Sequence, residues 1–201
     1  MQVYKIYPVG FASNSYLITA DGKTAVCIDP AQPRISDEAK KRGLTVTFVL
    51  LTHGHFDHIG GVASLQKAGA KVGCLFGEEK LALYDNLAAA FGEEEIESFK
   101  IDFTFKDGEE LELAGLKIKV ISTAGHTAGG ACYLIDNNLF TGDTLFEGSV
   151  GRCDLPTGNG LALEKSVKKL YALDGDYTVY AGHGEDTTLD YERKYNGAIR
   201  A

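Results

Sequence analysis

The feature that most restricts the fold of this chain is a cluster of histidines directly after an apolar run. The run Val46–Leu51 predicts a strand covered on both faces, and the sequence then reads THGHFDHIGG from Thr52 to Gly61. Three of the five histidines fall between positions 53 and 58. At this histidine content the spacing H-x-H-x-x-H arises by chance in roughly 1 chain in 300. The fold must therefore bring partners to this loop.

The residue types in the loop indicate a metal site. Histidine is the commonest metal ligand, and carboxylates join it at zinc and iron sites. Because side chains repeat every two residues along a strand, His53 and His55 are expected to point the same way, with Asp57 and His58 at the start of the next helix. The simpler alternative is that Asp57 caps this helix and the histidines are polar loop residues.

The other two histidines and a second aspartate occupy similar positions further along the chain. His126 follows the apolar strand predicted at Lys117–Ile121, and His183 follows the strand predicted at Tyr177–Ala181. Asp143 ends another short apolar run. Loops at strand ends are where a sheet scaffold usually carries its chemistry. The pattern predicts one shared site built from several strand ends.

Strands and helices are predicted in both halves of the chain. Helices are expected at Ile59–Lys67, Glu78–Phe91 and Leu161–Ala172, among runs of short strands rich in β-branched and aromatic residues. Two strand-rich halves, each with helices, predict an α/β fold in which two sheets pack face to face with helices outside. No proline-rich linker divides the 201 residues, so a single domain over residues 1–201 is expected.

Composition limits the partners. The formal net charge is -8, which gives no counterion-release affinity for nucleic acid or anionic membranes. The N-terminus lacks the basic and apolar regions of a signal peptide, and the four widely spaced cysteines are expected to be reduced thiols. We therefore expect a cytoplasmic protein with a small-molecule substrate, no nucleic acid and no membrane partner. The oligomeric state stays open.

The motifs resemble a known family. HGHFDH at 53–58, GH at 125–126, GD at 142–143 and GH at 182–183, together with NSYLI at 14–18 and CIDP at 27–30, resemble the metallo-β-lactamase-fold hydrolase superfamily. The resemblance covers nearly the whole chain and implies a four-layer αββα sandwich. It also implies two divalent metal ions, zinc first, with iron or manganese as alternatives.

The resemblance also implies ligands and roles for particular residues. His53, His55 and His126 would hold the first ion, Asp57, His58 and His183 the second, and Asp143 would bridge both. Asp57 would also have a catalytic role by orienting a metal-bridging hydroxide. Asp29 is expected either to orient ligands or to be only a turn residue before Pro30.

Within the superfamily, the run GDTLFEGSVGRCDLPTG at 142–158 looks most like glyoxalase II (hydroxyacylglutathione hydrolase) and its short relatives. The implied activity is hydrolysis of thioesters of the hydroxyacylglutathione type, with Arg152 binding the substrate. A thiolate leaving group needs little proton assistance, which suits a hydroxide nucleophile held by two metals.

Several alternatives stay open. A persulfide dioxygenase resembles the same motifs and would hold one iron with the equivalents of His53, His126 and Asp143. A hydrolase of the same fold acting on another ester or a lactone is also possible. A nuclease fits the net charge poorly, and a non-catalytic metal-binding module would need closed metal shells.

Overall fold

The computed structural model describes all 201 residues as two six-stranded sheets with helices on their outer faces. In the first sheet the strands lie in chain order: β1 (Gln2–Ile6), β2 (Ser15–Thr19), β3 (Thr24–Ile28), β4 (Thr45–Leu51), β5 (Lys71–Leu75) and β6 (Phe103–Phe105). Strands β1 to β3 pair antiparallel, whereas β3 to β6 pair parallel. The carboxyl ends of β3, β4 and β5 therefore meet at one edge.

The second sheet is built from the other half of the chain. It contains β7 (Glu110–Leu113), β8 (Leu116–Ser122), β9 (Ala131–Ile135), β10 (Asn138–Gly142), β13 (Thr178–Ala181) and β14 (Thr187–Thr188), in the order β14-β13-β10-β9-β8-β7. A small ribbon of β11 (Leu145–Phe146) and β12 (Ser149–Val150) follows β10. Only β10 and β13 pair parallel, so their carboxyl ends also lie together.

The helices are short, apart from one. They are α1 (Ile35–Lys41), α2 (Phe56–Ile59), α3 (Val62–Lys67), α4 (Glu79–Tyr84), α5 (Gly160–Tyr171) and α6 (Leu189–Tyr195), with a 3₁₀ turn at Ala89–Phe91. None of them combines the length and apolarity needed to cross a lipid bilayer.

Three apolar cores separate four layers. Alternate residues of β4 serve two of them: Leu50 points between the sheets, while Val49 and Leu51 pack under α1 and α3. The third core lies between the second sheet and α5, where Val167 and Leu170 are fully buried. This confirms the predicted αββα sandwich and the buried strand at Val46–Leu51.

Two helix predictions need correction. The helix expected at Glu78–Phe91 ends at Tyr84, because Leu87 adopts a left-handed φ of 72° that no α-helix continues, and only a 3₁₀ turn follows. The helix expected at Ile59–Lys67 is split into α2 and α3. At the break, a Cβ on Gly61 would lie 2.3 Å from the carbonyl oxygen of Gln32, so this close approach requires glycine.

Candidate metal centre

The strand ends of both sheets converge on one site. The loop after β4 carries His53, His55, Asp57 and His58, and the other three predicted ligands follow β8, β10 and β13. Tyr133 on β9 ties the two sheets together here, because its hydroxyl donates a 2.5 Å hydrogen bond to the carbonyl of Leu51. The structure thus brings all seven predicted ligands to one edge of the sandwich.

The first group of ligands consists of His53, His55 and His126. One donor atom from each lies within 4.8 Å of the others, and all three residues are buried. His55 Nδ1 and His126 Nε2 are 2.9 Å apart. Two nitrogens on one tetrahedral zinc lie about 3.3 Å apart, given Zn–N bonds of about 2.0–2.1 Å. The spacing suits three ligands around one ion, and we call this group the first trio.

The second group consists of Asp57, His58 and His183, also with donor atoms within 4.8 Å of one another. His183 Nε2 lies 3.2 Å from Asp57 Oδ2, and His58 Nε2 lies 3.8 Å from the same oxygen. The side chain of His183 is 37% exposed, so this second trio is more open to solvent than the first, whose three residues are all buried.

Asp143 lies between the two trios. Its Oδ2 is 3.6 Å from His126 Nε2 of the first trio and 3.6 Å from His183 Nε2 of the second, and its Oδ1 is 3.3 Å from His58 Nε2. The preceding Gly142 has a φ of +48°, and a Cβ there would lie 2.3 Å from Thr52 Oγ1. Glycine thus lets the Asp143 loop approach the β4 loop closely enough to bridge both groups.

Several buried polar atoms of the site fit a bound cation. His53 Nε2, His58 Nε2 and Asp143 Oδ1 are buried without any hydrogen-bond partner. Buried polar atoms normally have hydrogen-bond partners, and a buried polar atom without one lowers the stability of the folded protein. Nitrogen and carboxylate donors facing one space are what zinc and iron prefer, so the residues present fit two divalent ions.

The opposite ring nitrogens are held by protein groups. Asp29 Oδ2 lies 2.8 Å from His58 Nδ1, Thr52 Oγ1 lies 3.1 Å from His53 Nδ1, and the Arg152 carbonyl oxygen lies 2.7 Å from His126 Nδ1. Such partners fix ring orientation and tautomer at metal sites. Asp29 also accepts hydrogen bonds from the Thr52 amide and hydroxyl, so both its oxygens are engaged in orienting its neighbours.

The electrostatics of the two trios differ. Burial and the neighbouring histidines lower the pKa of His53 well below its usual range, and burial with His126 lowers the pKa of His55 to about 4. Burial also opposes charge on His58, but Asp143, Asp57 and Asp29 outweigh it and raise the pKa of His58 well above its usual range. Without metal, His53 and His55 of the first trio thus favour the neutral form, whereas His58 of the second trio favours the protonated form.

The two aspartates among the ligands remain ionised. Burial raises the pKa of Asp143, but the nearby His58 lowers it by a larger amount. The pKa of this carboxyl is therefore well below its usual range. In Asp57 burial is likewise outweighed, by His58 and by the hydrogen bond from His183, and its pKa is lowered. Carboxylates that stay charged are suited to hold divalent cations.

A cleft of about 660 Å³ opens above the two trios. Predicted ligand side chains form its floor, and its walls include four phenylalanines, of which Phe56 and Phe91 have their rings 5.5 Å apart. Phe11 stands 80% exposed at the rim. The size and the largely apolar lining are typical of small-molecule sites. The whole lining comprises Pro8, Gly10, Phe11, Ala12, His55, Phe56, Asp57, Leu87, Phe91, Glu93, His126, Asp143, Phe146, Arg152, Leu155 and His183.

Arg152, the predicted substrate-binding residue, lines this cleft, but its guanidinium is already engaged. Its Nε and Nη2 donate to the two carboxylate oxygens of Asp154 at 2.7 and 2.8 Å. Substrate binding by Arg152 stays a prediction, and any anionic substrate group must compete with this ion pair.

Sequence reasoning assigned no role to several residues that hold the ligand-carrying loops in place but are not themselves predicted ligands. Asn14 is buried, and its side-chain amide donates to the carbonyls of Ala181 and Gly184 on either side of His183. The Tyr16 hydroxyl donates to the Ala181 carbonyl at 2.6 Å. The buried Glu78 carboxylate accepts from two other loops of the site. Each of these residues is far in sequence from the loop that it holds. Asn14 and Tyr16 fall in the NSYLI motif at 14–18, whereas no motif includes Glu78.

Comparison with known proteins agrees with this architecture. The family model of the Metallo-beta-lactamase superfamily matches residues 8–183. The chain therefore belongs to the metallo-β-lactamase superfamily.

Among individual relatives, the chain is 36% identical to "Hydroxyacylglutathione hydrolase GloC" of Haemophilus influenzae, over 96% of this chain and 95% of the relative. Among solved structures, it is similar to the BLEG-1 B3 metallo-beta-lactamase, with a TM-score of 0.89, 30% identity and 98% of each chain covered. It is also similar to TTHA1623 in a di-iron-bound form, with a TM-score of 0.85, 33% identity and coverage of 97% and 99%. Proteins of this architecture thus include one that binds two irons.

Proposed function

We propose that this protein is a dinuclear-metal hydrolase acting on thioesters of the hydroxyacylglutathione type. The observation that carries the proposal is the pair of predicted ligand trios joined by Asp143, with unpartnered, buried donor atoms beneath a solvent-open cleft. The 36% identity to a hydroxyacylglutathione hydrolase over nearly the full length of both chains supports the choice of substrate.

The residues of this chain define how the site would work. His53, His55 and His126 would hold one ion, Asp57, His58 and His183 the other, and Asp143 would bridge them. Two divalent ions bound in this way supply a hydroxide nucleophile at neutral pH and polarise the substrate carbonyl. We propose zinc as the resident metal, with iron or manganese as alternatives.

Asp57 is the residue we assign to orienting the attacking group. Its carboxylate lines the cleft, and its Oδ2 lies 3.2 Å from His183 Nε2, so the residue stands at the second trio with its charge directed into the site. A fixed, ionised carboxylate beside the reacting carbonyl can accept a hydrogen bond from a nucleophilic hydroxide and aim it. The thiol leaves as a thiolate and needs no proton donor from the protein.

Arg152 is the residue we assign to the thiol arm of the substrate. It is the single cationic side chain of the cleft lining, and glutathione carries carboxylates. The aromatic walls formed by Phe11, Phe56 and Phe91 would pack against the rest of the arm and exclude water from the carbonyl.

The test combines metal content with thiol release. Elemental analysis of protein purified without added metal is expected to give about two divalent ions per chain. The same preparation should release thiol from S-lactoylglutathione, and a chelator should abolish this release. One iron per chain, together with oxygen consumption on glutathione persulfide, would instead identify the dioxygenase. Two ions with no thioester hydrolysis, but with hydrolysis of a lactone or oxygen ester, would retain the hydrolase and reject the substrate class.

A further inference from the structure

Glu78 lies outside every sequence motif of the metal centre. The residue is 2% exposed, and its carboxylate is buried beneath the metal centre. We propose that Glu78 is a positioning residue for the first trio: its one carboxylate fixes together the two loops that carry His53, His55 and His126. The inference rests on the metal centre proposed above and concerns how the chain builds it.

The contacts of Glu78 are divided between those two loops. Oε1 accepts a 2.9 Å hydrogen bond from the amide of Gly54, the residue between His53 and His55. Oε2 accepts a 2.9 Å hydrogen bond from the amide of Gly129, three residues after His126. Any movement of the carboxylate would therefore shift both loops, and the three ring nitrogens with them.

Both glycines are needed for this close approach. A Cβ on Gly129 would lie 2.5 Å from Glu78 Oε2, and a Cβ on Gly54 would lie 2.4 Å from the backbone nitrogen of Ala82, in the helix that Glu78 precedes. Real Cβ atoms are not found at such distances, so the loops and the carboxylate fit only with glycine at both positions.

The sheet topology explains why Glu78, which follows β5, lies next to the metal-binding loop. Strands β3, β4 and β5 are parallel neighbours, and the metal-binding loop follows the middle strand. Asp29 at the end of β3 holds that loop from one side through Thr52 and His58. Glu78, three residues beyond the end of β5, holds it from the other side through Gly54. Two buried carboxylates thus flank the loop, one from each adjacent strand.

The chemistry of the contact requires a carboxylate. Each of its two oxygens accepts one backbone N–H, so both amides are satisfied by one side chain. Glutamine has the same shape but only one acceptor oxygen, and its NH₂ group would face the second amide. A buried donor left facing another donor is costly, so one of the loops must move.

The experiment measures metal affinity, not only activity. Metal-free wild-type and Glu78→Gln proteins are titrated with Co²⁺, followed by visible absorption, and with Zn²⁺ against a competing chelator. We expect Glu78→Gln to bind the first equivalent about 10–100-fold more weakly, the range typical for residues that orient metal ligands. Its Co²⁺ spectrum should also change, because the ligand geometry changes.

Glu79→Gln is the matched control. Glu79 is the adjacent glutamate and accepts a hydrogen bond only from the nearby Gly77 amide, so its variant should titrate as the wild type does. Glu78→Asp keeps the charge but is one methylene shorter, and its affinity should lie between those of the wild type and the glutamine variant. A purely structural role would lower the unfolding temperature of the metal-free protein and leave the affinity and the Co²⁺ spectrum unchanged.

The outcomes separate this inference from the proposed function. If the wild type binds two ions and Glu78→Gln binds them equally well, the role of Glu78 is overturned and the hydrolase proposal stands. If the wild type binds no ion, both fail. Should Glu78→Gln not fold, amide hydrogen exchange in the wild type decides: strong protection of both Gly54 and Gly129 supports the inference, and fast exchange of either overturns it.

Discussion

The two ligand trios are built from the same residue types but in different surroundings. The first is enclosed, and its rings are oriented by neutral groups, the Thr52 hydroxyl and the Arg152 carbonyl. The second is partly open to solvent, and a charged group, Asp29, orients its His58. His53 and His55 of the first trio thus favour the neutral form that binds a cation, whereas in the second trio a cation must displace the proton of His58.

In the proposed site, this difference means that the two trios would hold their ions unequally. A buried group of three histidines suits an ion that stays in place. A more open group with one carboxylate suits an ion that takes part in substrate exchange. Asp143 connects the two, and its removal is therefore the change that should affect both at once.

The largest effect is expected from Asp143→Ala. In the proposed site, loss of the Asp143 carboxylate would remove an oxygen ligand from both ions, and it leaves His58 without its strongest charge partner. We expect less than about one ion per chain and a loss of thioester hydrolysis of about 10³-fold or more, with an unchanged far-ultraviolet circular dichroism spectrum. A variant that keeps full activity would contradict the assignment of the site.

A second pair of variants separates the trios. His183→Ala removes the exposed ligand of the second trio and leaves the closed first trio intact, so about one ion per chain should remain. His53→Ala removes a buried ligand with no protein partner on its Nε2 and should reduce the affinity of the retained ion. Elemental analysis after dialysis against a weak chelator measures both. Equal metal loss in the two variants would show that the trios do not differ.

The pH dependence of the metal-free protein tests the electrostatic difference. The pKa of His55 falls from 6.5 in the unfolded chain to about 4 on folding, so its stabilising contribution is present above pH 6.5 and is lost as pH falls through about 4. Burial raises the pKa of Glu78 from 4.5 to about 6, so its contribution is present below pH 4.5 and is lost as pH rises through about 6. The two oppose each other.

The histidine effect is the larger, because its shift is greater and the pKa of His53 is lowered as well. We therefore expect the urea midpoint of chelator-treated protein to fall between pH 6.5 and pH 4. The fall should be steeper in Glu78→Gln, which lacks the opposing contribution. A midpoint that stays level or rises over this range would contradict the lowered pKa of His53 and His55.

The smallest effect is expected at the rim of the cleft. Asp154→Asn frees the Arg152 guanidinium from an exposed ion pair, which solvent screens and keeps weak. If Arg152 binds a substrate carboxylate, the KM for a glutathione thioester should fall by about 2–5-fold with little change in kcat. The KM for a neutral-arm thioester, such as one of N-acetylcysteamine, should not change. Equal changes in KM for both substrates would contradict the assignment of Arg152 to substrate binding.

The sequence was a good guide wherever the signal is local. The cluster from His53 to His58 lies within six residues, and the apolar run before it determines its place at the end of a buried strand, as β4 confirms. The prediction of one helix over Glu78–Phe91 was wrong because a contact distant in sequence outweighs the local preference. Its residues favour a helix, but the Asn86 carbonyl accepts a hydrogen bond from the Phe56 amide and Leu87 takes a left-handed conformation. A long-range contact decided a local conformation.

By itself, then, the sequence predicted two sheets packed face to face with helices outside, through two strand-rich halves that each carry helices. It also predicted the ligand residues, through motifs at strand ends and their resemblance to a known superfamily. Only the tertiary structure decided which groups hold those ligands in place. Asn14 reaches the His183 loop, and Glu78 joins the loops of His53 and His126, across long stretches of chain. A lone buried carboxylate or amide has no periodicity and no neighbouring motif, so its function exists only in the hydrogen bonds that folding creates.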